Sequence, residues 1–233
     1  MAVYTKINNK DVLLLGKIYN LNKITKFEGI KKGIENTNYL LRTNKRKFIL
    51  TIFEKRVQKK DLPFFMDLME KLNEKKIICP KPLKNNKDQH LCEVKKKPAC
   101  IVTFLEGTDK TNLNYKNCFD IGKNIAKFHK ITTKIKLYRQ NSMSVKKLDF
   151  LLKKIKFRSN AISPKLKPTL NACLKDIISK WPKKLPEGII HGDLFIDNIF
   201  FNKDKFSGFI DFYFSSNDYL MYEIAICINS LCF

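Results

Sequence analysis

The sequence predicts an α+β fold in two lobes: a small antiparallel-sheet lobe over residues 1–104 and a mainly helical lobe over 105–233. Three observations carry this. Short apolar runs bounded by turn residues dominate the first hundred positions. Apolar residues then recur at helical spacing through three longer segments. Between them, Leu105-Glu106-Gly107 is a single crossing of the chain, which leaves room for a cleft.

The elements follow in order. Residues 11–20 read as a short amphipathic helix with Asp11 at its start, and strand-like runs follow at 25–28, 37–42 and 47–53. The link Gly29-Ile30-Lys31-Lys32-Gly33-Ile34-Glu35-Asn36 carries two glycines four apart. It is either an ordinary hairpin turn or a loop whose backbone N–H groups approach phosphates. Asp61 caps a helix over 61–75 with Pro63 in its first turn. Phe64, Phe65, Leu68, Met69 and Leu72 repeat along it at helical spacing. Residues 91–94 and 99–104 form a hairpin across a Lys/Pro turn. Helices are predicted over 115–132, 144–157 and 165–181, the last broken by Trp181-Pro182. A short hairpin (199–201, 206–210) and a helix from about Asn217 to the chain end complete the chain.

Composition narrows the classes. The chain has 233 residues, 44% of them apolar, enough for a substantial core. No run approaches the length of a membrane-spanning helix, and the N-terminus lacks the apolar stretch of a signal peptide, so a soluble cytoplasmic protein is expected. The seven cysteines are odd in number, scattered and without a C-x-x-C pair, so they read as small hydrophobic filler rather than disulfides or a zinc site. The net charge of +24 would ordinarily suggest nucleic acid. Five of the 46 basic residues are Arg, however, and the lysines are dispersed, which reads as a solvated lysine surface with no nucleic-acid partner. The same field would attract an anionic nucleotide. Oligomeric state is not legible.

One string carries chemistry: Ile190-His191-Gly192-Asp193-Leu194-Phe195-Ile196-Asp197-Asn198, followed by Gly208-Phe209-Ile210-Asp211-Phe212. An Asp, a loop and an Asn, with a second Asp at the end of a hairpin, is the pattern that phosphoryl transfer needs. Asp193 is the candidate base, and Asn198 and Asp211 are candidate Mg²⁺ ligands, because hard oxygen donors suit that ion. His191 braces the catalytic loop by hydrogen bonds rather than titrating. Asp197 is a solvated or loop-bracing carboxylate. A surface turn rich in Asp and Asn is the plain alternative. Residues 101–107 would present backbone groups, at Thr103 and Leu105 among others, to adenine, or are simply a buried strand. Glu223 anchors the catalytic loop's backbone N–H groups or is an exposed helix residue. His129 is a packed, hydrogen-bonded histidine on a helix face with Cys118, Gly122, Ile125 and Ala126.

The stretches just quoted, with Ala2-Val3-Tyr4-Thr5, Glu35-Asn36-Thr37-Asn38-Tyr39, Phe53-Glu54-Lys55-Arg56, Asp61-Leu62-Pro63-Phe64-Phe65 and Asp211-Phe212-Tyr213-Phe214, carry a resemblance along essentially the whole chain. It resembles the aminoglycoside phosphotransferase/choline kinase superfamily, protein-kinase-like in fold, and within it the bacterial homoserine kinases. The resemblance implies ATP- and Mg²⁺-dependent phosphorylation of the L-homoserine hydroxyl, giving O-phospho-L-homoserine. It implies a phosphate loop over residues 29–38, with Gly29, Gly33, Asn36 and Asn38 at the nucleotide. Such sites put a Lys or Arg on the third strand. Thr51 stands there instead, with Lys55 or Arg56 the candidates to supply the charge. No secure acidic partner for that cation stands on the helix over 61–75: Phe65 occupies its place, with Glu70 nearby. Tyr213, Asn217 and Asp218 are guesses for the homoserine pocket. Relatives of this kind continue with further helices, so the resemblance implies an incomplete second lobe ending in an open apolar helix face. A kinase for an amino alcohol or aminoglycoside, and a non-catalytic nucleotide-binding remnant, stay open as alternatives.

Overall fold

The computed structural model describes residues 3–21, 23–155 and 161–232. Ala2, the end of the helix expected to reach Phe157, Arg158 and Phe233 lie outside the described residues. The first helix, α1 (Asn9–Ile18), starts two residues earlier than predicted. Asn8 rather than Asp11 is its N-cap, and the two form a capping box in which Asn8 Oδ1 accepts from Asp11 N and Asp11 Oδ2 accepts from Asn8 N.

The strands β1 (Ile24–Gly29), β2 (Thr37–Thr43), β3 (Lys47–Ile52), β4 (Leu91–Val94) and β5 (Lys97–Thr103) join in one antiparallel sheet, ordered β1-β2-β3-β5-β4. Thr51 on β3 faces Asn38 on β2 and Cys100 on β5. One face of the sheet packs on α1 through Val12, Leu15, Leu41, Leu50 and Ile101. Beside the sheet runs α2 (Leu62–Glu74); of its predicted stripe, Phe65, Leu68, Met69 and Leu72 are buried and Phe64 is half-buried.

The second half holds α3 (Tyr115–Thr132), α4 (Val145–Ile155), α5 (Leu166–Lys180), β6 (Glu187–Ile190), β7 (Ile199–Asn202), β8 (Lys205–Phe209), β9 (Ser216–Tyr219) and α6 (Leu220–Leu231). The last helix was expected from Asn217, but residues 216–219 pair with β6 as a short strand first. Isolated apolar and polar residues give no period at four positions, so only the partner strand reveals it. Within α3 the buried face is Asn117, Ile121, Ile125, Phe128 and His129, while Cys118, Gly122 and Ala126 are exposed, which corrects the face expected for His129.

The apolar core is not divided between the halves: Phe65 and Leu72 of α2 share a cluster with Phe128 of α3 and Phe201, Phe209 and Phe212. Cys79, Cys100 and Cys227 are buried, and burial pushes each thiol up to about 12, whereas Cys118, Cys173 and Cys232 are exposed and fill no core. Among the described residues, no helix is long and apolar enough to cross a membrane. On α6, Met221 and Ile228 are exposed.

Candidate active site

The site is built on the turn that follows β6. Gly192 adopts φ +80°, and a Cβ there would meet the Phe214 carbonyl oxygen at 3.0 Å, so the turn admits glycine alone without strain. The fully buried Glu223 carboxylate of α6 accepts the N–H groups of His191 (3.1 Å) and Gly192 (2.8 Å), and pairs with His129 Nε2 at 3.0 Å. His191 is equally buried. Its Nε2–H donates to the Ile210 carbonyl (2.8 Å), its ring lies against Phe212, and its Nδ1 has no hydrogen-bond partner. Burial holds its pKa below the ordinary histidine range, outweighing the Glu223 charge. A neutral, enclosed imidazole cannot shuttle protons with substrate; it ties the turn to the strand that delivers Asp211.

Asn198 Nδ2 donates to Asp193 twice, to the backbone oxygen (2.8 Å) and to Oδ2 (2.9 Å). With its NH₂ so engaged, Asn198 keeps its amide oxygen as an acceptor. The Ile210 N–H donates to the Asn198 carbonyl (3.0 Å), which brings the two ends of the β7–β8 hairpin together. Asp211 follows in the left-handed region, φ +63°, a conformation Asp tolerates better than most residues. The residue is exposed toward the cleft, while protein atoms crowd around its carboxyl. Burial first, opposed by the Tyr213 backbone N–H and aided by the Asp197 charge, pushes its carboxyl up to about 6. Burial, then the Asp211 charge, pushes Asp193 up to about 6 as well. Two neighbouring carboxylates that resist ionisation, beside a carboxamide oxygen, are a donor set that fits a hard divalent cation.

Two cavities flank this cluster. The larger, about 390 Å³, lies between the sheet and the hairpin and is lined by Gly33, Asn38, Thr51, Thr103, Leu105, Asn198, Asp211 and Tyr213, eight of the residues singled out from sequence. Gly33 has φ +98° in the loop over this cleft. Gly29 instead ends β1, paired with Tyr39, and Asn36 is buried with its amide oxygen on Glu54 N; neither lines the cleft. Thr51 Oγ1 donates to Asn38 Oδ1 (2.8 Å). Thr103 is held to Lys81 by both its N–H (2.9 Å) and its hydroxyl (2.8 Å), so both groups are engaged within the protein. Tyr213 is packed edge-on against Phe53 and Phe65, on the cleft side. The smaller cavity, about 300 Å³, is lined by Asp193, Gly192, Arg56, Asn141, Tyr222 and Asn229 among others. Asn217 and Asp218 line neither. Asn217 ties down residues 137–139 through Arg139 N (2.8 Å) and the Leu137 carbonyl (3.2 Å). Asp218 stands behind Asn141, accepting from its Nδ2 at 2.6 Å.

Other expectations are revised. Asp61 occupies the N-cap position of α2 but makes no cap bond. Its carboxylate accepts from Arg139 Nε (2.9 Å) instead. Glu70 faces His90 and Lys84, outside the two cavities. Lys32, unassigned from sequence, is the only cation lining the larger cleft among the described residues, and it pairs with Asp109 at 2.7 Å. Its position within the glycine loop was the available signal. Asn141 gave none.

The chain is similar to known proteins along its length. Residues 26–233 match the profile of the phosphotransferase enzyme family. A homoserine kinase of Allorhizobium ampelinum is 42% identical over 233 residues, all of this chain and 73% of that protein. One of Rhizobium meliloti is 41% identical over all of this chain and 72% of its own length, and one of Bradyrhizobium diazoefficiens is 42% identical over all of this chain and 72% of its own length. Among solved structures, amicoumacin kinase in complex with AMP-PNP and Ca²⁺ aligns with a TM-score of 0.74 at 16% identity, over 97% of this chain and 70% of that one. Spectinomycin phosphotransferase with ADP and spectinomycin aligns at 0.68 and 15% identity, over 96% and 74%. The protein-kinase-like fold expected from the sequence is the fold found. With its match running from residue 26 to 233 and its relatives above 40% identity along the whole chain, this protein belongs to the phosphotransferase enzyme family.

Proposed function

We propose that the chain transfers the γ-phosphoryl group of ATP to the side-chain hydroxyl of L-homoserine, giving O-phospho-L-homoserine and ADP. The observation that carries this is the place of Asp193. It lines the smaller cavity, while its hydrogen-bond partner Asn198 lines the larger cleft together with Asp211. An acceptor hydroxyl in the first cavity and a nucleotide in the second would meet at this carboxylate. The relatives' names, homoserine kinases at about 40% identity, support the acceptor. We take residues 1–104 as the nucleotide lobe and 105–233 as the catalytic lobe.

In this reading Asp193 accepts the hydroxyl proton as the oxygen attacks phosphorus and the bond to the ADP oxygen breaks. Asn198 and Asp211 would hold Mg²⁺, which when bound neutralises phosphate charge. Lys32 supplies the positive charge that Thr51 does not, reaching the phosphates from the loop instead of the third strand. Leu105 offers its backbone to adenine. Glu223 and His191 fix the loop that aims Asp193.

The test is Asp193→Asn, read by ADP release with L-homoserine, choline and an aminoglycoside as acceptors. Loss of a general base predicts a fall in kcat of about 10³-fold with ATP affinity little changed. Turnover of choline or the aminoglycoside without homoserine would overturn the acceptor assignment. If wild type and variant bind ATP equally and neither transfers phosphate, the chain is a nucleotide-binding protein only, the reading that Thr51 motivates.

A further inference from the structure

The smaller cavity holds a cation whose charge opposes the burial-driven rise of the Asp193 pKa and which faces the rest of the cavity as well. Among the described residues, Arg56 is its only cation and Asp193 its only carboxylate. Arg56 is absent from the lining of the nucleotide cleft, where Lys32 stands alone. Its guanidinium lies over the Phe214 ring, 4.7 Å from the centroid, and its Nη1 pairs with Glu35. Phe214 belongs to the turn after Asp211, and Glu35 to the loop over the cleft, so the side chain is positioned from two directions. A guanidinium carries five N–H donors in a planar fork. Glu35 takes the Nη1 side, and among the described residues it is the one ion-pair partner of Arg56, which leaves Nε and Nη2 to a ligand.

Resting on the homoserine reading above, we propose that Arg56 binds the α-carboxylate of the acceptor and so makes this cavity selective for a hydroxy amino acid over a neutral or cationic alcohol. A carboxylate presented to the free edge of a guanidinium makes two charge-assisted hydrogen bonds, a geometry that neither a hydroxyl nor an ammonium can match. The hydroxyl end then falls to Asp193 across the same cavity. For the ammonium, the wall offers the side-chain oxygens of Tyr222 and Asn229. Asn141 lies on the same wall, its amide locked between Asp218 Oδ2 (2.6 Å) and Met143 N (2.8 Å). The negative charge of Asp218 directly behind Asn141 favours a cation on that side.

The test uses three acceptors that share a primary hydroxyl: L-homoserine, 4-hydroxybutanoate, which keeps the carboxylate, and 3-aminopropan-1-ol, which lacks it. Arg56→Met should raise KM for the two carboxylates by about 100-fold and shift KM for 3-aminopropan-1-ol and for ATP by less than about threefold. Arg56→Lys, which keeps the charge but loses the fork, should fall between. The side chain is 54% exposed, so neither variant threatens the fold. A rise in KM for ATP alone would make Arg56 a phosphate contact and overturn the proposal. So would an equal rise for all three acceptors. Calorimetric titration of L-homoserine separates this from the reading beneath it. If the wild type phosphorylates homoserine and Arg56→Met binds it as tightly, the Arg56 assignment alone falls. If the wild type neither binds nor phosphorylates homoserine, both fall.

Discussion

Three donors converge on the Glu223 carboxylate: two backbone N–H groups of the turn before Asp193 and the imidazole of His129. Each is buried, so removing the acceptor leaves donors without water to replace it, at about 1–3 kcal/mol apiece. Glu223→Ala should therefore lose at least about 3 kcal/mol, lowering Tm by roughly 2–4 °C for each kcal/mol, and depress kcat further by loosening Asp193. Thermal melts beside initial rates check this; an unchanged Tm would sink the anchoring role. Glu223 was legible in sequence as one of two readings, because twelve residues separate it from Asp211, but its burial was not. Asp61 shows the converse. Its position before a helix is a cap signal, and the helix starts there. Arg139, distant in sequence, takes the carboxylate because its guanidinium also donates to Ser215 O (3.0 Å) and stacks over Phe65. Local rules fix where elements begin; they do not fix which distant group wins a side chain.

At the scale of elements, the N-terminal segment, β2 and β5 are joined through Glu54, just after β3. Thr5 Oγ1 (2.7 Å) and Thr37 Oγ1 (2.6 Å) donate to Oε1, and Lys97 Nζ donates to Oε2. Burial alone would push this carboxyl up, but the bonds from Lys97, Thr37 and Thr5 outweigh it and hold it below its ordinary 4.5. A depressed folded pKa contributes stability that is present above about pH 4.5 and is lost as pH falls through the folded value. Glu54→Gln should cost about 1.5–3 kcal/mol at pH 7 and progressively less below about pH 4, as seen in urea melts across that range. A gap that stays constant with pH would exclude this network. The sequence marked the strands but not this junction, since Thr5, Thr37, Glu54 and Lys97 share no local pattern. Strand β9 was missed for the same reason: its partner β6 lies about thirty residues away.

For the whole molecule, the two-lobe organisation was legible from the shift in periodicity, and the string that gathers at the two cavities from its residue types. What sequence did not convey is how firmly the halves are joined. Beyond the shared core, Thr108 and Phe201 exchange backbone hydrogen bonds at 2.9 and 2.8 Å, and Phe209 N donates to Ile78 O at 3.2 Å. The β7–β8 hairpin, which carries Asn198 and Asp211 at its ends, is thus stitched to the hinge and to the segment after α2. The loop over residues 30–36 is held more lightly, at its tip by Lys32–Asp109, Glu35–Arg56 and the Tyr4 hydroxyl on Ile34 O (2.9 Å). Two of those three ties are ion pairs open to solvent, which weaken as salt rises. Opening this loop then requires ionic ties to break rather than the halves to part. Stopped-flow release of a fluorescent ADP should quicken severalfold between low and high ionic strength, whereas a salt-independent rate would return the exit to the hinge. On this view the ionic strength of the medium sets how long the enzyme holds its product.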